Sequence, residues 1–340
     1  MEFSAISAKG TAPGKRAFHS CSVVGDVLYI FGGIAEDRTV FSDMFRYDIS
    51  SNSWTQVENR VPSGSQSRAL VSSGFPRGRL CTAPSVSHHT ATVVRDRFIL
   101  IIGGWNGRKR CADVYCFDTV EQFWRQIPVS GDVPVGLSSH TATLISHKDI
   151  LIIGREGGVR TQRRFAGAFY LNYETGKYTE AAFHVSSRSG HTANLIPIRA
   201  SKETHLFVFG GRNSGGYELI GSWDKIEHIE SSLPKQRIIT LIEKSTVCDE
   251  PSGRQHARAV EIDRKHLLIF GGETWSGVRE NVTNDAFILD TDKMKWHKVT
   301  CCGDAPKLVG HSMVGIGDNI FIFGGGVANR FCNTFWEVKF

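Results

Sequence analysis

Histidine has the greatest catalytic potential in this 340-residue chain, because its side chain transfers protons near neutral pH and ligates metal ions. Six of the 13 histidines stand in similar small-residue contexts, each ahead of a strand-like run that ends in glycine. They are His19, His89, His140, His191, His256 and His311. Six equivalent positions do not suit one catalytic centre. We therefore predict a structural role for these histidines.

Basic side chains cluster in two segments that are not repeated elsewhere in the sequence. Their seven basic residues are Arg108, Lys109, Arg110, Arg155, Arg160, Arg163 and Arg164. One acid, Glu156, lies among them. Guanidinium groups form paired hydrogen bonds with carboxylates and phosphates. The cluster therefore suggests a pocket for an acidic peptide or a terminal carboxylate, and the alternative is a pair of solvated charged loops.

Sequence motifs of common enzyme classes are missing. The chain has no H-E-x-x-H, no G-x-S-x-G and no glycine-rich phosphate-binding motif. Its eight cysteines form no C-x-x-C pair and no zinc-ligand spacing. Because the N-terminus does not look like a secretion signal, we expect reduced thiols. We expect no metal ion and no other cofactor.

Composition narrows the class of protein. Hydrophobic residues make up 41% and charged residues 22%, which excludes a mostly disordered chain. The longest apolar runs, such as 98–102, are far shorter than the roughly 20 residues of a membrane span. A net charge of +6 does not by itself argue for nucleic-acid binding. The 35 glycines against 10 prolines favour many short strands joined by turns.

A repeat organises these features. Runs of β-branched, aromatic and leucine residues end at six glycines, 51 to 71 residues apart, and in five copies a second glycine follows. These glycines are Gly32, Gly103, Gly154, Gly210, Gly271 and Gly324. An alternating strand comes next, and then an aromatic residue, most clearly Trp54, Trp124, Tyr178 and Trp296. This unit of four short strands resembles the kelch repeat, and the resemblance covers essentially the whole chain. It implies an all-β fold, a six-bladed kelch β-propeller, with the repeated aromatic residues packing between blades.

The two ends of the sequence resemble complementary parts of one blade. Residues 3–8 match the outer strands that begin at Trp124 and Trp296, with glycine and proline following at the same spacing. Residues 335–338 look like a third strand that has no fourth. We therefore predict that residues 3–8 close the ring as the outer strand of the C-terminal blade. Such pairing would cover a strand edge that otherwise invites aggregation.

We expect a single propeller over residues 1–340, with no second domain. The predicted parts are a closing strand (3–8), six blades (14–62, 86–134, 137–183, 187–246, 252–300 and 306–340) and an inserted loop (63–85).

The kelch resemblance places the turn after Gly-Gly on the same side of the ring as the turn that leads into the first strand. We call this side the loop face. It would gather the basic clusters with serine, arginine and tryptophan residues of other repeats. The candidate partner-binding residues are Ser87, Trp105, Arg108, Arg110, Ser138, Arg155, Arg160, Arg163, Arg164, Arg188, Ser189, Arg212, Arg254 and Trp275. The two tryptophans would serve as anchors.

Kelch propellers act as protein-interaction scaffolds and adaptors. The resemblance therefore implies a non-catalytic module that binds a protein or peptide, acidic or ending in a carboxylate, on the loop face. The alternative is an enzyme acting on an acidic sugar at the channel mouth, where arginine and Glu156 would lie. Nucleic-acid binding is disfavoured because the basic patch is local. We expect a monomer without membrane attachment in the cytoplasm, with the nucleus as a second location.

Overall fold

The structure of the protein, a computed structural model, describes most of the chain. The described residues are 1–59, 61, 78–154, 167–182, 188–198, 203–212, 250–263, 265–275, 280–293, 295–303, 305–328 and 330–340. Within these ranges all regular elements are β-strands. No helix long and apolar enough to cross a membrane occurs in them.

The strands are short, as period-two alternation and frequent glycine predict. Those of the first half are β1 (Glu2–Ala5), β2 (Lys9–Gly10), β3 (Ser20–Val24), β4 (Val27–Phe31), β5 (Met44–Asp48), β6 (Ser53–Val57), β7 (Arg79–Cys81), β8 (Thr90–Val94), β9 (Phe98–Trp105), β10 (Arg110–Asp118), β11 (Phe123–Ile127), β12 (Ser130–Gly131), β13 (Thr141–Leu144), β14 (Asp149–Ile153), β15 (Ala168–Asn172) and β16 (Lys177–Glu180). Those of the second half are β17 (Ser189–Ile198), β18 (Glu203–Arg212), β19 (Arg258–Asp263), β20 (His266–Phe270), β21 (Glu273–Trp275), β22 (Glu280–Val282), β23 (Ala286–Asp290), β24 (Lys295–Val299), β25 (Ser312–Ile316), β26 (Asn319–Phe323), β27 (Gly326–Val327), β28 (Arg330–Phe331) and β29 (Phe335–Lys339).

Five sheets of four or five strands are described, one fewer than the six blades predicted. From outer to inner strand, four of them are β2-β6-β5-β4-β3, β7-β11-β10-β9-β8, β12-β16-β15-β14-β13 and β1-β29-β26-β25, and the fifth is β24-β23-β20-β19. The fourth repeat contributes only the two-stranded sheet β17-β18. Residues 213–249, which would supply its outer strands, lie outside the described part of the chain.

The innermost strands surround a central axis. Each contacts the innermost strand of the next repeat, and the last contacts the first. The contacts run β3 to β8, β8 to β13, β13 to β17, β17 to β19, β19 to β25 and β25 to β3. Radial sheets whose inner strands meet around an axis form a β-propeller, so the predicted all-β propeller is confirmed.

Aromatic side chains fill the space between neighbouring sheets. The Trp124 ring lies 4.7 Å from the Phe31 ring of the preceding repeat, and the Trp54 ring lies 5.6 Å from the Phe323 ring. In the third repeat the buried Tyr178 hydroxyl donates a hydrogen bond to a backbone carbonyl of the second repeat. The predicted packing role of these repeated aromatic residues is confirmed.

The first and last strands of the chain share a sheet. Strand β1 pairs antiparallel with β29, in a register that sets Glu2 opposite Lys339. The Phe3 ring packs 5.1 Å from the Phe270 ring of the neighbouring repeat. The paired strand is shorter than residues 3–8, because the chain then turns and Lys9–Gly10 pairs with β6 of the first sheet. The N-terminal segment therefore contributes to two sheets.

The inserted segment 63–85 ends in ordered structure. Residues 62–77 lie outside the described part of the chain. Strand β7, however, pairs antiparallel with β11 and adds a fifth strand to the outer edge of the second sheet. The C-terminal part of the insertion is therefore part of the second sheet.

Disrupting β1 should destabilise the fold. Phe3→Asp puts a charge where Phe3 is half-buried against Phe270, so we expect unfolding free energy to fall by roughly 2 kcal/mol in urea titrations. Ser4→Asp is the matched control, because Ser4 is exposed on the same strand and should change stability by less than about 0.5 kcal/mol. Deleting residues 1–10 should expose the β29 edge and cause aggregation. A monomeric deletion variant with unchanged stability would contradict the structural role of β1.

Candidate functional site

The basic cluster of the second repeat lies on a turn that is fixed by its own hydrogen bonds. The Asn106 side-chain oxygen accepts from the backbone N–H groups of Arg108 and Lys109, at 3.0 and 2.9 Å. The Arg108 and Lys109 side chains are exposed, and no described acidic residue forms an ion pair with either. Trp105 and Arg110, paired at the base of this hairpin, are half-buried. The turn therefore presents two positive charges to solvent from a defined backbone.

Two other candidate residues lie at the same end of the fourth repeat. Ser189 and Arg212 face each other across β17 and β18, and both are half-buried. Arg155, Arg160, Arg163 and Arg164 lie outside the described residues, as does the side chain of Trp275 at the end of β21.

Arg188 and Arg254 are buried rather than displayed to a partner. Their exposed fractions are 2% and 1%, and each donates a hydrogen bond to the carbonyl of the first glycine in its own repeat. Arg16 does the same in the first repeat and also pairs with Asp43. A guanidinium group bound in this way braces the glycine turn and does not reach solvent. The prediction that Arg188 and Arg254 contact a partner is therefore wrong.

Ser87 and Ser138 are buried as well, with exposed fractions of 0% and 3%. The Ser87 backbone bonds to that of Trp105, and its hydroxyl lies 3.1 Å from Nδ1 of His88. Because both serines are buried, we do not retain them as partner-binding residues.

Backbone hydrogen bonds join the repeats around the axis. His88 N–H donates to the Phe18 carbonyl at 2.9 Å, and Ser139 N–H donates to the His88 carbonyl at 2.9 Å. Five successive bonds of this kind are present among six residues, which we call the axial residues. They are Phe18, His88, Ser139, Gly190, His256 and Gly310. All six have positive φ, between 52° and 70°, which turns each backbone N–H toward the preceding repeat.

Three axial side chains meet at the channel axis. The rings of Phe18 and His88 stack with centroids 3.9 Å apart, and His256 meets Phe18 edge-on at 5.0 Å. Burial lowers the pKa of His88 to about 4 and that of His256 to about 3. Both rings are therefore neutral at physiological pH.

The repeated histidines bind hydroxyl groups of the preceding repeat. Nε2 of His191 lies 2.9 Å from the Thr141 hydroxyl, and Nε2 of His89 lies 2.9 Å from the Ser20 hydroxyl. His19 and His140 make equivalent contacts with Ser312 and Thr90. The structural role predicted for these histidines is confirmed.

The fifth repeat departs from this pattern by one position. His256 has the left-handed conformation of the axial residues, so Ala257 occupies the place of the repeated histidine. The second glycine of the repeat supports this alignment: Gly272 lies against Ala257 just as Gly33 lies against His19. Assigning His256 to the repeated histidines was therefore wrong. Arg258 takes the place of the hydroxyl residue that follows each of them.

A cavity of about 290 Å³ lies inside the ring of inner strands. Hydroxyl, imidazole and small apolar side chains line it, and Arg258 is its one charged lining residue among those described. Burial lowers the pKa of Arg258 to about 10, so its guanidinium is still charged at neutral pH. Its Nε donates a 2.7 Å hydrogen bond to the His311 carbonyl.

Metal and thiol chemistry find little support in the described residues. No group of three or more histidine, cysteine and acidic side chains there is placed to hold a metal ion. Burial raises the pKa of the Cys21 thiol to about 12, and it also raises that of Cys116. Neither thiol forms a thiolate nucleophile near neutral pH.

Family models match both parts of the chain. Residues 1–220 match the Attractin/LZTR1 beta-propeller, and residues 234–340 match the KLHDC2/KLHL20/DRC7 Kelch-repeats domain. Kelch domain-containing protein 9 of Mus musculus is 32% identical over 326 residues, covering 91% of this chain and 87% of that protein. The Homo sapiens protein of the same name is 31% identical with the same coverage. The kelch resemblance of the sequence is thereby confirmed.

A solved structure supports the architecture independently. The structure of YjhT superimposes with a TM-score of 0.67 at 12% sequence identity, covering 97% of this chain and 96% of that one. At such low identity the match shows a shared fold alone.

The histidine–hydroxyl contacts can be tested with one substitution at two equivalent positions. Thr141→Val removes the hydroxyl partner of the buried His191 and should lower the unfolding free energy by about 1–3 kcal/mol. Thr192→Val is the matched control, because the buried Thr192 hydroxyl has no hydrogen-bond partner among the described residues. It should be neutral or stabilising in urea titrations in a Tris chloride buffer. Equal losses for both variants would contradict the assigned contacts.

Stability should decrease on acidification before the carboxylates titrate. Burial lowers the pKa of His89, His140 and His311 from 6.5 to about 3, so the unfolded chain takes up protons that the folded protein does not. Stability is therefore complete above about pH 6.5 and falls toward pH 4, by up to about 1.4 kcal/mol per pH unit for each histidine. Urea titrations at several pH values measure this slope. His140→Asn should reduce the proton uptake on unfolding by about one, and a flat profile would contradict the prediction.

Proposed function

The chain belongs to the kelch-repeat β-propeller family, and from that premise we propose that it is a non-catalytic protein-interaction module. Its ligand is a protein or peptide segment that is acidic or ends in a free carboxylate, bound on the loop face. The protein would act as an adaptor or scaffold.

The turn formed by residues 106–109 is the observation that carries this proposal. Asn106 holds the backbone, so Arg108 and Lys109 lose little backbone freedom when they bind a carboxylate, and only their side chains have to be ordered. Trp105 lies half-buried at the base of the turn and offers an apolar contact beside the two charges. Arg108 and Lys109 have no acidic partner among the described residues, so an incoming carboxylate does not have to displace one.

Charge on the neighbouring turns favours one direction for the ligand. The corresponding turn of the first repeat exposes Glu36 and Asp37 beside one arginine, Arg38, so its net charge is negative and would repel an acidic segment. In the other direction the sequence places four arginines between residues 155 and 164, and Arg212 follows in the fourth repeat. An acidic ligand should therefore extend from the second repeat toward the third and fourth.

The buried histidines support a non-catalytic role. Burial lowers the pKa of His88 to about 4 and those of His89 and His256 to about 3, so these rings accept protons poorly at neutral pH. Four of the repeated histidines are hydrogen-bonded to hydroxyl groups of neighbouring repeats. These observations favour binding over catalysis on an acidic sugar.

The proposal also covers the number of blades, the closure of the ring, the oligomeric state and the cellular location. We propose a six-bladed ring in which β17 and β18 are the inner strands of the fourth blade and β1 closes the ring. The cycle of contacts among six inner strands supports this count, and the β1–β29 pairing supports the closure. A closed ring leaves few strand edges for self-association, which supports a monomer. We further propose a cytoplasmic or nuclear location.

Three labelled peptides test the ligand class. One alternates glutamate and glycine over ten residues with a free C-terminus, the second is the same peptide with an amidated end, and the third has glutamine for glutamate. We expect the first to bind at low salt, and weaker binding of the second would identify a terminal-carboxylate contact. Arg108→Ser with Lys109→Ser should weaken binding at least tenfold, about 1.4 kcal/mol, with unchanged melting temperature.

Lys293→Ser with Lys295→Ser is the matched control. It removes the same charge from an exposed turn at the opposite end of the strands. Affinity should also fall with added salt, because screening acts over about 8–10 Å. Equal binding of the glutamate and glutamine peptides, or equal loss in both double variants, would overturn the proposal.

A further inference from the structure

The fifth repeat leaves several buried polar groups without partners in one part of the channel wall. Because Ala257 replaces the repeated histidine, the Thr192 hydroxyl of the fourth repeat lacks the imidazole that its equivalents bind. Because Arg258 replaces the hydroxyl residue, Nε2 of His311 in the sixth repeat also has no hydrogen-bond partner. The side-chain oxygen of Asn194 is buried and unpaired as well. The Nδ1 atoms of the repeated histidines are unpaired in other repeats too, but among the described repeats the Nε2–hydroxyl contact is missing only at Thr192 and His311. Nearly all buried polar groups in proteins have a partner, so this interruption points to a missing one.

Arg258 lies between these groups and faces the cavity. One of its five N–H donors binds the His311 carbonyl, and its two terminal nitrogens make no hydrogen bond or ion pair with a described residue. Its pKa is lowered by burial alone, with no carboxylate to raise it. Arg258 is half-buried and faces the cavity rather than bulk solvent, so a cation without an acidic partner among the described residues favours binding of a counter-ion there.

The other cavity walls add hydrogen-bonding groups and no negative charge. Thr192, Asn194, Ser312 and Arg258 all line the cavity, and no described acidic side chain does. A hydroxyl group donates to an oxyanion, and the Asn194 amide presents its nitrogen after half a turn. The volume of about 290 Å³ far exceeds the roughly 10–15 Å³ that one water molecule needs.

We propose that the channel binds a small oxyanion, a phosphate or a carboxylate, on the Arg258 guanidinium with the Thr192 hydroxyl as a second donor. This site is separate from the loop-face cluster, and its occupancy does not depend on the proposed peptide binding. Only the fifth repeat combines the lost histidine with the gained arginine, so the channel has one such position among the described repeats. The bound ion would join the fourth, fifth and sixth repeats at the point where their histidine–hydroxyl contacts are interrupted.

The test uses the full chain with inorganic phosphate and acetate as probes at constant ionic strength, and chloride as the reference. We expect one of the two to raise the melting temperature saturably and to bind with one-to-one stoichiometry in calorimetry. The probe that binds identifies the oxyanion as a phosphate or a carboxylate. Arg258→Ser should weaken that binding at least tenfold. Lys295→Ser, which removes an exposed cation outside both the channel and the loop-face cluster, should leave it unchanged.

A second variant separates a loss of oxyanion binding from a loss of folding. Ala257→His combined with Arg258→Ser restores the residue types of the other repeats, so it should fold stably and provide partners for Thr192 and His311. It should also lose oxyanion binding while keeping peptide binding on the loop face. No saturable effect of either probe on the unmodified protein, or unchanged affinity in both Arg258 variants, would overturn the proposal. Water alone would then fill the cavity.

Discussion

The hydrogen bonds between axial residues are the interaction on which the rest of the structure depends. Each joins the backbone of one repeat to that of the next at the narrowest part of the ring, and each requires a left-handed residue. That conformation costs roughly 1–2 kcal/mol for a non-glycine residue, as at Phe18 and Ser139. An inter-repeat bond of about 1 kcal/mol only partly offsets it. The rest of the cost of the left-handed conformation is offset by the contacts that this geometry permits. These include the aromatic rings packed between sheets and the hydrogen bonds between histidines and neighbouring hydroxyl groups.

The residues proposed to bind ligands lie where individual repeats depart from the shared pattern. In the second repeat the hairpin of β9 and β10 displays Arg108 and Lys109 above a register shift between Cys111 and Val114. In the fifth repeat, Ala257 and Arg258 change the channel wall, and the effects appear at Thr192 and His311 in the two adjacent repeats. A substitution in a ring of interlocking repeats therefore acts on both neighbours, because each repeat completes the hydrogen bonds of the next.

Recurrence in the sequence was sufficient to predict the strands, the propeller and the packing of Trp54 and Trp124, since a feature present in every repeat reflects the shared fold. The same reasoning, applied to Arg16, Arg188 and Arg254, would have identified them as braces of the glycine turns. These arginines stand three residues before His19, His191 and Ala257. The same spacing also indicates that Ala257, and not His256, aligns with the repeated histidines. The cavity and the charge of Arg258 inside it could not be read from sequence, because they depend on which side chains converge from repeats far apart in the chain.

The shared sheet of β1 and β29 also determines the order in which the molecule can fold. Residues 2–5 are synthesised long before their partners, residues 336–339. At roughly 5–20 residues per second, synthesis separates the two strands by about 17–70 s. Until then β1 lacks its partner β29, and the first sheet lacks its contact with the C-terminal repeat. The intervening repeats can already pair with one another. The pairing of β1 with β29 therefore joins strands that are very far apart in the sequence, and such a contact favours a slow final step in folding.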